Sequence, residues 1–231
     1  MSHRLPEADA PANPFCTRRI RPGAIPFWFS AGEDPAGLIG RFQRAAWRGA
    51  IIGPHGSGKS TLLAALLPAL KQRGMHVAAV GLHDGQRRLP RGFAATLDAQ
   101  ATVDAELSTQ HASKTSTLDQ PCARPGPALV VVIDGYEQLG RLSRCRLRWL
   151  CWRRRLGLLV TSHGPVGLPV LFRTGVDLTL AQHIVAELQN GFDVHIDPND
   201  VARLFPRYGG NLRELLFRLY DLYEGRQRKS E

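Results

Sequence analysis

The segment Gly49–Leu63, with the sequence GAIIGPHGSGKSTLL, carries the strongest structural signal in the chain. Apolar residues precede Gly53 and follow Ser60, which predicts a buried strand, a glycine-rich loop and a helix. The loop Gly53–Ser60 fits the pattern G-x-x-x-x-G-K-[ST], whose glycines let successive backbone N–H groups turn inward around a phosphate. Lys59 adds a positive charge for the outer phosphates, and Ser60 adds a hydroxyl ligand for Mg²⁺. We therefore expect this loop to bind a nucleoside triphosphate.

The helix that follows the loop contributes to the same site. It begins near Lys59, so the positive end of its dipole points at the bound phosphates. The predicted nucleotide-binding residues of this segment are Gly53, Pro54, His55, Gly56, Ser57, Gly58, Lys59, Ser60 and Thr61.

Length and composition limit the class of protein. The 231 residues suffice for one α/β domain with a small appendage. No apolar run approaches the ~18 residues of a membrane helix, and the first residues lack the apolar core of a secretion signal. We therefore expect a cytoplasmic protein that makes no membrane contact. The 4 cysteines include no C-x-x-C pair, so the sequence predicts neither a zinc site nor a disulfide framework.

A second chemical centre follows the apolar strand Leu129–Asp134, LVVVID. Ligands gather at the carboxyl ends of parallel strands, so we expect Asp134 beside the phosphate loop, where it can hold Mg²⁺ through water. Glu137 follows closely enough to orient or deprotonate an attacking water. Each residue has a structural alternative, because an aspartate before Gly135 is typical of a turn and a glutamate is typical of a helix start.

The segment Asp134–Gln138, DGYEQ, resembles the Walker B segment of the P-loop ATPases that use an additional glutamate, the group of the AAA+, STAND and RecA-like families. It is most similar to the form in NACHT-type STAND ATPases, which carry a second acid where this chain has Gln138. The resemblance implies an α/β P-loop NTPase fold, a three-layer sandwich around a parallel sheet with a small C-terminal helical lid. It also implies ATP and Mg²⁺ as ligands and ATP hydrolysis as the activity.

Two further segments resemble the phosphate sensors of these families. The strand after Walker B lies between the two Walker strands there and ends in a polar sensor, a role that Thr161 or Ser162 would fill. The segment Gly209–Leu216 is similar to the sensor-2 helix, from which Arg213 would reach the phosphates. The alternatives are a strand-end hydroxyl and an arginine on a helix surface. With these roles the catalytic residues are Lys59, Glu137 and Arg213, and the metal ligands are Ser60 and Asp134.

His163, which follows this strand, is similar to the switch histidine of ABC ATPases. The ABC signature Leu-Ser-Gly-Gly-Gln is absent from the sequence, and only 75 positions separate Lys59 from Asp134. Membership of the ABC family is therefore rejected.

Residues 139–155 are predicted to form an amphipathic helix that carries seven arginines. Its apolar residues at helical spacing, which we expect to face the sheet, are Leu142, Cys145, Trp149 and Trp152. With a net charge of +10, the arginines are compatible with a surface for nucleic acid or an acidic protein partner. A solvated outer face is favoured, because a basic helix face needs no partner.

The remaining segments set the expected domain boundaries. Residues 1–33 are rich in proline and predicted to be largely irregular, although the apolar segment Ile20–Phe29 should pack on the domain. Packing is favoured over contact with the nucleotide base, since most buried aromatic residues belong to a core. We expect the NTPase core over residues 34–180, and a helical lid with a frayed basic tail over 181–231.

Other elements are predicted from local patterns. Pro68 should kink or shorten the end of the helix after the loop, and a modest helix and a long loop are expected over residues 97–127. The candidates for the last strand are Val170–Phe172 and Leu178–Leu180.

The function expected from the sequence is ATP binding with Mg²⁺-dependent hydrolysis. The alternatives are a nucleotide-dependent switch with little turnover and a nucleic-acid-stimulated ATPase. Each of these functions is compatible with an oligomeric protein.

Overall fold

The computed structural model describes residues 13–30, 32–83, 85–93, 95, 97 and 126–230. The chain forms two compact units, each assembled from separated segments. One comprises Trp28–Gly53 and Leu62–Arg173 and contains the sheet; the other comprises Met1–Phe27, Pro54–Thr61 and Thr174–Glu231. The helix and loop expected over residues 97–127 lie almost wholly outside the described residues.

Seven α-helices and five strands have both of their ends among the described residues, and Phe93, Ala95 and Leu97 are also helical. The helices are α1 (Thr17–Ile20), α2 (Pro35–Arg44), α3 (Lys59–Gln72), α4 (Arg141–Arg153), α5 (Leu178–Leu188), α6 (Pro198–Leu204) and α7 (Leu212–Ser230). The strands are β1 (Arg48–Ile52), β2 (His76–Gly81), β3 (Leu129–Asp134), β4 (Gly157–Ser162) and β5 (Val170–Arg173). Short 3-10 turns span Tyr136–Gln138 and Phe205–Tyr208. None of the described helices is both long and apolar enough to cross a membrane.

The sheet is parallel throughout, in the strand order β2-β3-β4-β1-β5. In the register between β1 and β4, Ile52 lies opposite Ser162, and between β3 and β4, Ile133 lies opposite Val160. As predicted, β4 lies between β1, the strand before the phosphate loop, and β3, the strand that ends in Asp134. Because parallel strands end at the same edge, the ends of β1, β3 and β4 are neighbours in this unit.

Both faces of the central strands are buried, which explains their continuous apolar sequences. On one face, Val131, Ile133 and Val160 join a single hydrophobic cluster with Leu147 and Cys151 of α4. This face fixes α4 against the sheet and leaves Asp134 at the less buried end of β3.

The predicted inward face of α4 is wrong. Leu142, Trp149 and Trp152 are 82%, 56% and 64% exposed, and Cys145 is also exposed, whereas Leu147 and Cys151 are buried. The helix carries two apolar series, and the series with the larger side chains is the outer one.

The rotation of α4 is set where the helix begins. The guanidinium of Arg144 donates hydrogen bonds to the carbonyl oxygens of Leu139, at 2.7 Å, and Glu137, at 2.6 Å. It also lies 5.4 Å from the ring centroid of the buried Tyr136. Arg144 therefore lies against the turn before the helix, which places Leu147 and Cys151 on the sheet side.

Two local expectations differ from the structure. Helix α3 continues past Pro68 to Gln72, so the proline does not shorten it. The segment Leu178–Leu180 begins α5 instead of forming a strand, because Oδ1 of Asp177 accepts a hydrogen bond from Leu180 N at 2.8 Å and caps the helix. The last strand is β5 alone.

The basic C-terminal segment is also helical, not frayed, since α7 extends to Ser230. Arg226 stabilises this end by donating hydrogen bonds to Asp200 Oδ2, at 2.5 Å, and to the carbonyl oxygen of His195, at 3.0 Å. The N-terminal residues of the same unit pack on α7. Phe15 is fully buried against the ring of Tyr223, with ring centroids 6.1 Å apart.

Candidate functional site

The phosphate loop has the backbone conformation that its glycines predict. Gly56 and Gly58 have φ angles of +67° and +89°, in the left-handed region that a side chain makes costly. The carbonyl oxygen of Pro54 accepts two hydrogen bonds, from Ser57 Oγ at 2.8 Å and from Lys59 Nζ at 2.6 Å. These bonds draw the two ends of the loop together and hold the Lys59 ammonium across it.

The amino end of α7 packs directly against this loop, within the same unit. A Cβ atom added to Gly56 would lie 1.8 Å from Asn211 Oδ1 and 3.2 Å from the backbone N of Arg213. Asn211 also caps α7, because its Oδ1 accepts a hydrogen bond from Glu214 N at 3.3 Å. The predicted sensor residue Arg213, whose side chain is exposed, is thus beside the loop at the positive end of a long helix.

Two further residues support the loop. Ser57 Oγ is hydrogen-bonded to Thr174 Oγ1 at 2.6 Å, and both side chains are buried. A Cβ added to Gly58 would lie 3.5 Å from Cε2 of Phe27. The apolar N-terminal segment therefore contacts the loop through Phe27, and its contact with a nucleotide base stays a prediction.

In the sheet unit, Asp134 is held by the next strand. The buried hydroxyl of Thr161 donates to Asp134 Oδ1 at 2.5 Å and accepts a hydrogen bond from Gly135 N at 2.9 Å. Gly135 has a φ of +82°, and a Cβ there would lie 2.8 Å from the carbonyl oxygen of Leu82, so the turn after β3 requires glycine. Thr161 thus orients the carboxylate predicted to bind Mg²⁺.

Ser162 connects the end of β4 to the start of the loop. Its carbonyl oxygen accepts a hydrogen bond from Gly53 N at 3.2 Å, and its Oγ accepts one from Gly164 N at 3.4 Å. Gly53 is the residue from which the phosphate loop leaves β1. The backbone of Ser162 therefore fixes the position from which the loop begins.

Glu137 lies in the 3-10 turn after Asp134, and its carboxylate contacts a histidine. His163 Nδ1 is 3.2 Å from Glu137 Oε1, whereas Glu137 Oε2 is buried and has no hydrogen-bond partner among the described residues. Burying a carboxylate oxygen without a hydrogen-bond partner costs free energy unless a further donor reaches it. The contact with His163 fixes the orientation of this carboxylate beside Asp134.

Tyr136 anchors this turn between the two acidic residues. Its side chain is fully buried, and burial raises the pKa of its phenol. The phenol is therefore neutral at physiological pH and acts as packing beneath the turn. With Tyr136 fixed, Asp134 and Glu137 emerge on either side of it.

The structure places the predicted residues in two groups. Asp134, Glu137, Thr161 and Ser162 share one edge of the sheet, and Arg213 lies beside the phosphate loop in the other unit. Three contacts in the site were not predicted from the sequence. His163 contacts Glu137, Thr174 is hydrogen-bonded to Ser57, and Asn211 lies against Gly56. Only Asn211 had a usable signal, since Asn-x-x-Glu before an apolar run is typical of a capping box.

No family model and no curated protein matches this chain. Among solved structures it is similar to a Walker-type ATPase of Pyrococcus abyssi, with a TM-score of 0.54 and 14% identity over 88% of this chain and 69% of that one. It is also similar to a DNA replication initiation factor, with a TM-score of 0.48 and 17% identity over 88% of this chain and 66% of that one. The first likeness confirms the predicted fold, an α/β P-loop sandwich around a parallel sheet. At this identity it shows the fold alone.

Proposed function

We propose that this protein binds ATP together with Mg²⁺ and hydrolyses it, in the manner of the AAA+ and STAND ATPases that its Walker B segment resembles. Binding is assigned to the loop Gly53–Ser60, with Thr61 at its helix. Arg213 and a hydroxyl at the end of β4 sense the phosphates, and residues 181–231 act as the lid.

The residues fit Mg²⁺ by their chemistry. Mg²⁺ prefers oxygen ligands and is held by one or two protein groups plus phosphate oxygens and water. Ser60 offers a hydroxyl at the start of α3, and Asp134 offers a carboxylate whose Oδ1 is oriented by Thr161. When bound, the ion neutralises charge on the β- and γ-phosphates.

The observation that carries hydrolysis is the carboxylate of Glu137. It lies in the 3-10 turn that follows Asp134, and His163 Nδ1 orients it from 3.2 Å of Oε1. In the proposed step, Glu137 accepts a proton from a water molecule whose oxygen forms a bond to the γ-phosphorus. The bond from that phosphorus to the β–γ bridging oxygen breaks, and ADP leaves with the electron pair. Lys59 and the loop amides stabilise the charge that develops.

The test compares phosphate release and ATP binding in the wild type and in Glu137→Gln. General-base catalysis contributes about 10²- to 10⁴-fold, so turnover should fall by that range while binding changes little. Glu187→Gln, at an exposed position of α5, is the matched control and should keep wild-type turnover. Equal rates in the wild type and Glu137→Gln would remove Glu137 from the mechanism. Tight ATP binding without turnover in the wild type would favour the nucleotide-dependent switch.

A further inference from the structure

A cleft of about 1270 Å³ lies in the sheet unit, at the opposite edge of the sheet from Asp134 and Glu137. It is formed by the carboxyl ends of α2 and α4 and by the residues at the starts of β1, β3 and β4. We call it the Arg–Trp cleft. Its lining includes Arg44, Trp47, Arg48, Trp152, Arg154 and Arg155. Arg153 also lines it, and none of the described lining residues is Asp or Glu.

The arginines of the cleft are not needed to cap the helices that end there. Two helix carboxyl ends carry about half a negative charge each, which cations could offset. Backbone N–H groups already satisfy the last carbonyls of α2, since Ala46 N donates to Gln43 O at 3.0 Å and Trp47 N to Phe42 O at 2.9 Å. At the end of α4, Leu156 N donates to Cys151 O at 2.9 Å. The cleft therefore has five guanidinium groups in its lining and no carboxylate among its described lining residues.

The backbone of the cleft is unusual. Ala46, Trp47 and Arg155 have φ angles of 54°, 57° and 55°, and they are all the non-glycine residues with positive φ in the described part of the chain. Glycine is the usual residue at such helix ends, because it adopts this conformation without strain. Here the chain keeps an indole and a guanidinium in two of these positions, and strain of this kind concentrates at ligand sites.

Trp47 is held rigidly within the cleft. Its ring meets the ring of Phe42 nearly edge-on, with centroids 5.4 Å apart, and a Cβ added to Gly126 would lie 3.0 Å from its Cζ2. Its carbonyl oxygen accepts a hydrogen bond from Leu158 N at 2.8 Å, which joins it to β4. Trp152, at the end of α4, is 64% exposed and lines the same cleft.

From these observations we propose that the Arg–Trp cleft binds a single-stranded nucleic acid, with phosphates on the guanidinium groups and bases stacked on the two indoles. Arginine, which is the only basic residue type in the described lining, binds phosphate through two N–H groups and stacks on planar rings. Stacking on tryptophan requires an unpaired base, so the indoles favour a single strand over a duplex. An acidic peptide would pair with the guanidinium groups but would leave the two indoles without a stacking partner, so a nucleic acid fits the cleft better.

The test measures fluorescence anisotropy of a labelled dT20 oligonucleotide with the full chain at low salt and without ATP. Trp152→Ala should weaken binding by about 5- to 100-fold, the range expected for loss of one stacked base. The matched control is Trp149→Ala, an indole that is similarly exposed on α4 and does not line the cleft. Arg153 of the lining lies 5.5 Å from its ring centroid, so Trp149→Ala should weaken binding much less than Trp152→Ala. A duplex of the same sequence should show little response to Trp152→Ala.

The contribution of the arginines is tested by salt dependence. Each phosphate contact contributes about 0.7 to the slope of log K against log salt for single strands. The double variant Arg44→Gln/Arg155→Gln should therefore reduce that slope by about 1.4. The pair Arg141→Gln/Arg146→Gln removes the same charge from exposed positions of α4 outside the cleft and should leave the slope unchanged.

Binding at this cleft is independent of the proposed ATPase, so Lys59→Ala should bind dT20 like the wild type. Three results would overturn the proposal: no binding of dT20 at low salt, equal losses in the Trp149 and Trp152 variants, or binding of poly-glutamate with the same affinity as dT20. The last result would assign the cleft to an acidic protein partner. Loss of ATP hydrolysis in Glu137→Gln with dT20 binding retained would show that the two sites act separately.

Discussion

His163 Nδ1 lies 3.2 Å from Oε1 of Glu137, across the gap between the end of β4 and the 3-10 turn after β3. The two side chains are 32% and 23% exposed, so water screens their interaction only in part. The backbone carbonyl of Glu137 is held separately by Arg144, at 2.6 Å. The histidine therefore positions the carboxylate, and Arg144 positions the turn that carries it.

Removing this histidine should lower turnover through the orientation of Glu137. We expect His163→Ala to reduce kcat for ATP hydrolysis by about tenfold, equivalent to ~1.4 kcal/mol, close to the lower end of the range for a hydrogen bond to a charged group, about 1.5–3 kcal/mol. ATP affinity should change little, because the phosphate loop is untouched. Steady-state phosphate release separates kcat from KM, and His183→Ala, at an exposed position of α5, is the control. An unchanged kcat, or an equal loss of ATP affinity, would contradict this role.

The contact between Gly56 and Asn211 gives a second prediction. Gly56→Ala would place a Cβ 1.8 Å from Asn211 Oδ1 at a φ of +67°. We expect ATP binding to be lost and the free energy of unfolding to fall by about 2–4 kcal/mol, from the left-handed backbone and the overlap together. Isothermal titration with ATP and urea unfolding measure the two effects.

A control separates backbone strain from overlap at this position. Gly191 has a φ of +85° with no atom within 4 Å of the added Cβ, so Gly191→Ala should show strain alone, about 1–2 kcal/mol. Asn211→Gly removes the overlapping side chain at a small capping cost, so adding it to Gly56→Ala should recover part of the stability. An equal loss of unfolding free energy in Gly56→Ala and Gly191→Ala would show that the overlap with Asn211 contributes nothing to the destabilisation.

Thr161 offers a test of how Asp134 is oriented. Thr161→Val keeps the shape but removes the hydroxyl that bonds Asp134 Oδ1 and Gly135 N. We expect a loss of about 1–3 kcal/mol in stability, the cost of unpaired buried polar groups, and a higher Mg²⁺ concentration for half-maximal ATPase activity. Thr161→Ser keeps the hydroxyl and should need no more Mg²⁺ than the wild type. An identical Mg²⁺ requirement in all three proteins would show that Thr161 does not affect Mg²⁺ binding.

The sequence predicted the sheet well because its central strands are buried on both faces. A continuous apolar run such as Leu129–Ile133 has few other ways to fold, and the phosphate loop requires a strand before it and a helix after it. The position of β4 between β1 and β3 came from the resemblance and was confirmed. Pairings such as Glu137 with His163 were missed, because contacts between separate elements leave no local pattern.

For helix α4, hydrophobic periodicity is not sufficient to predict which face packs on the sheet. Leu142, Trp149 and Trp152 form a stronger apolar series than Leu147 and Cys151, and summed hydrophobicity selects the wrong face. The contacts of Arg144 with the turn before the helix decide its rotation, and hydrophobic periodicity does not reveal them. The misassigned face includes Trp152, so the Arg–Trp cleft was not predictable from the sequence pattern.

The two cysteines of α4 should differ in chemistry. Burial raises the pKa of the Cys151 thiol to about 11, whereas Cys145 is exposed. At pH 8, iodoacetamide should modify Cys145 in the native protein and leave Cys151 unmodified, as measured by peptide mass spectrometry. Fast modification of Cys151 in the native protein would mean that α4 detaches from the sheet.

The same thiol makes stability depend on pH. Its pKa is about 11 when folded and 9.0 as a free side chain, so its contribution is complete below pH 9 and is lost as pH rises toward 11. Between pH 8 and 10 the free energy of unfolding should fall by about 1 kcal/mol more in the wild type than in Cys151→Ala, measured by urea unfolding. An equal fall in both proteins would show that other groups account for the dependence.

Arg226 should determine whether the end of α7 stays helical. It bonds Asp200 Oδ2 at 2.5 Å and the His195 carbonyl at 3.0 Å, and the Asp200 side chain is only 13% exposed. Because Arg226 is partly exposed, we expect Arg226→Met to cost about 1 kcal/mol, not the full value of a buried pair. Amide hydrogen exchange over residues 224–230 should become faster in this variant. Arg228→Met removes the same charge from an exposed position of the helix and should leave exchange unchanged, whereas equal acceleration in both variants would attribute the effect to charge alone.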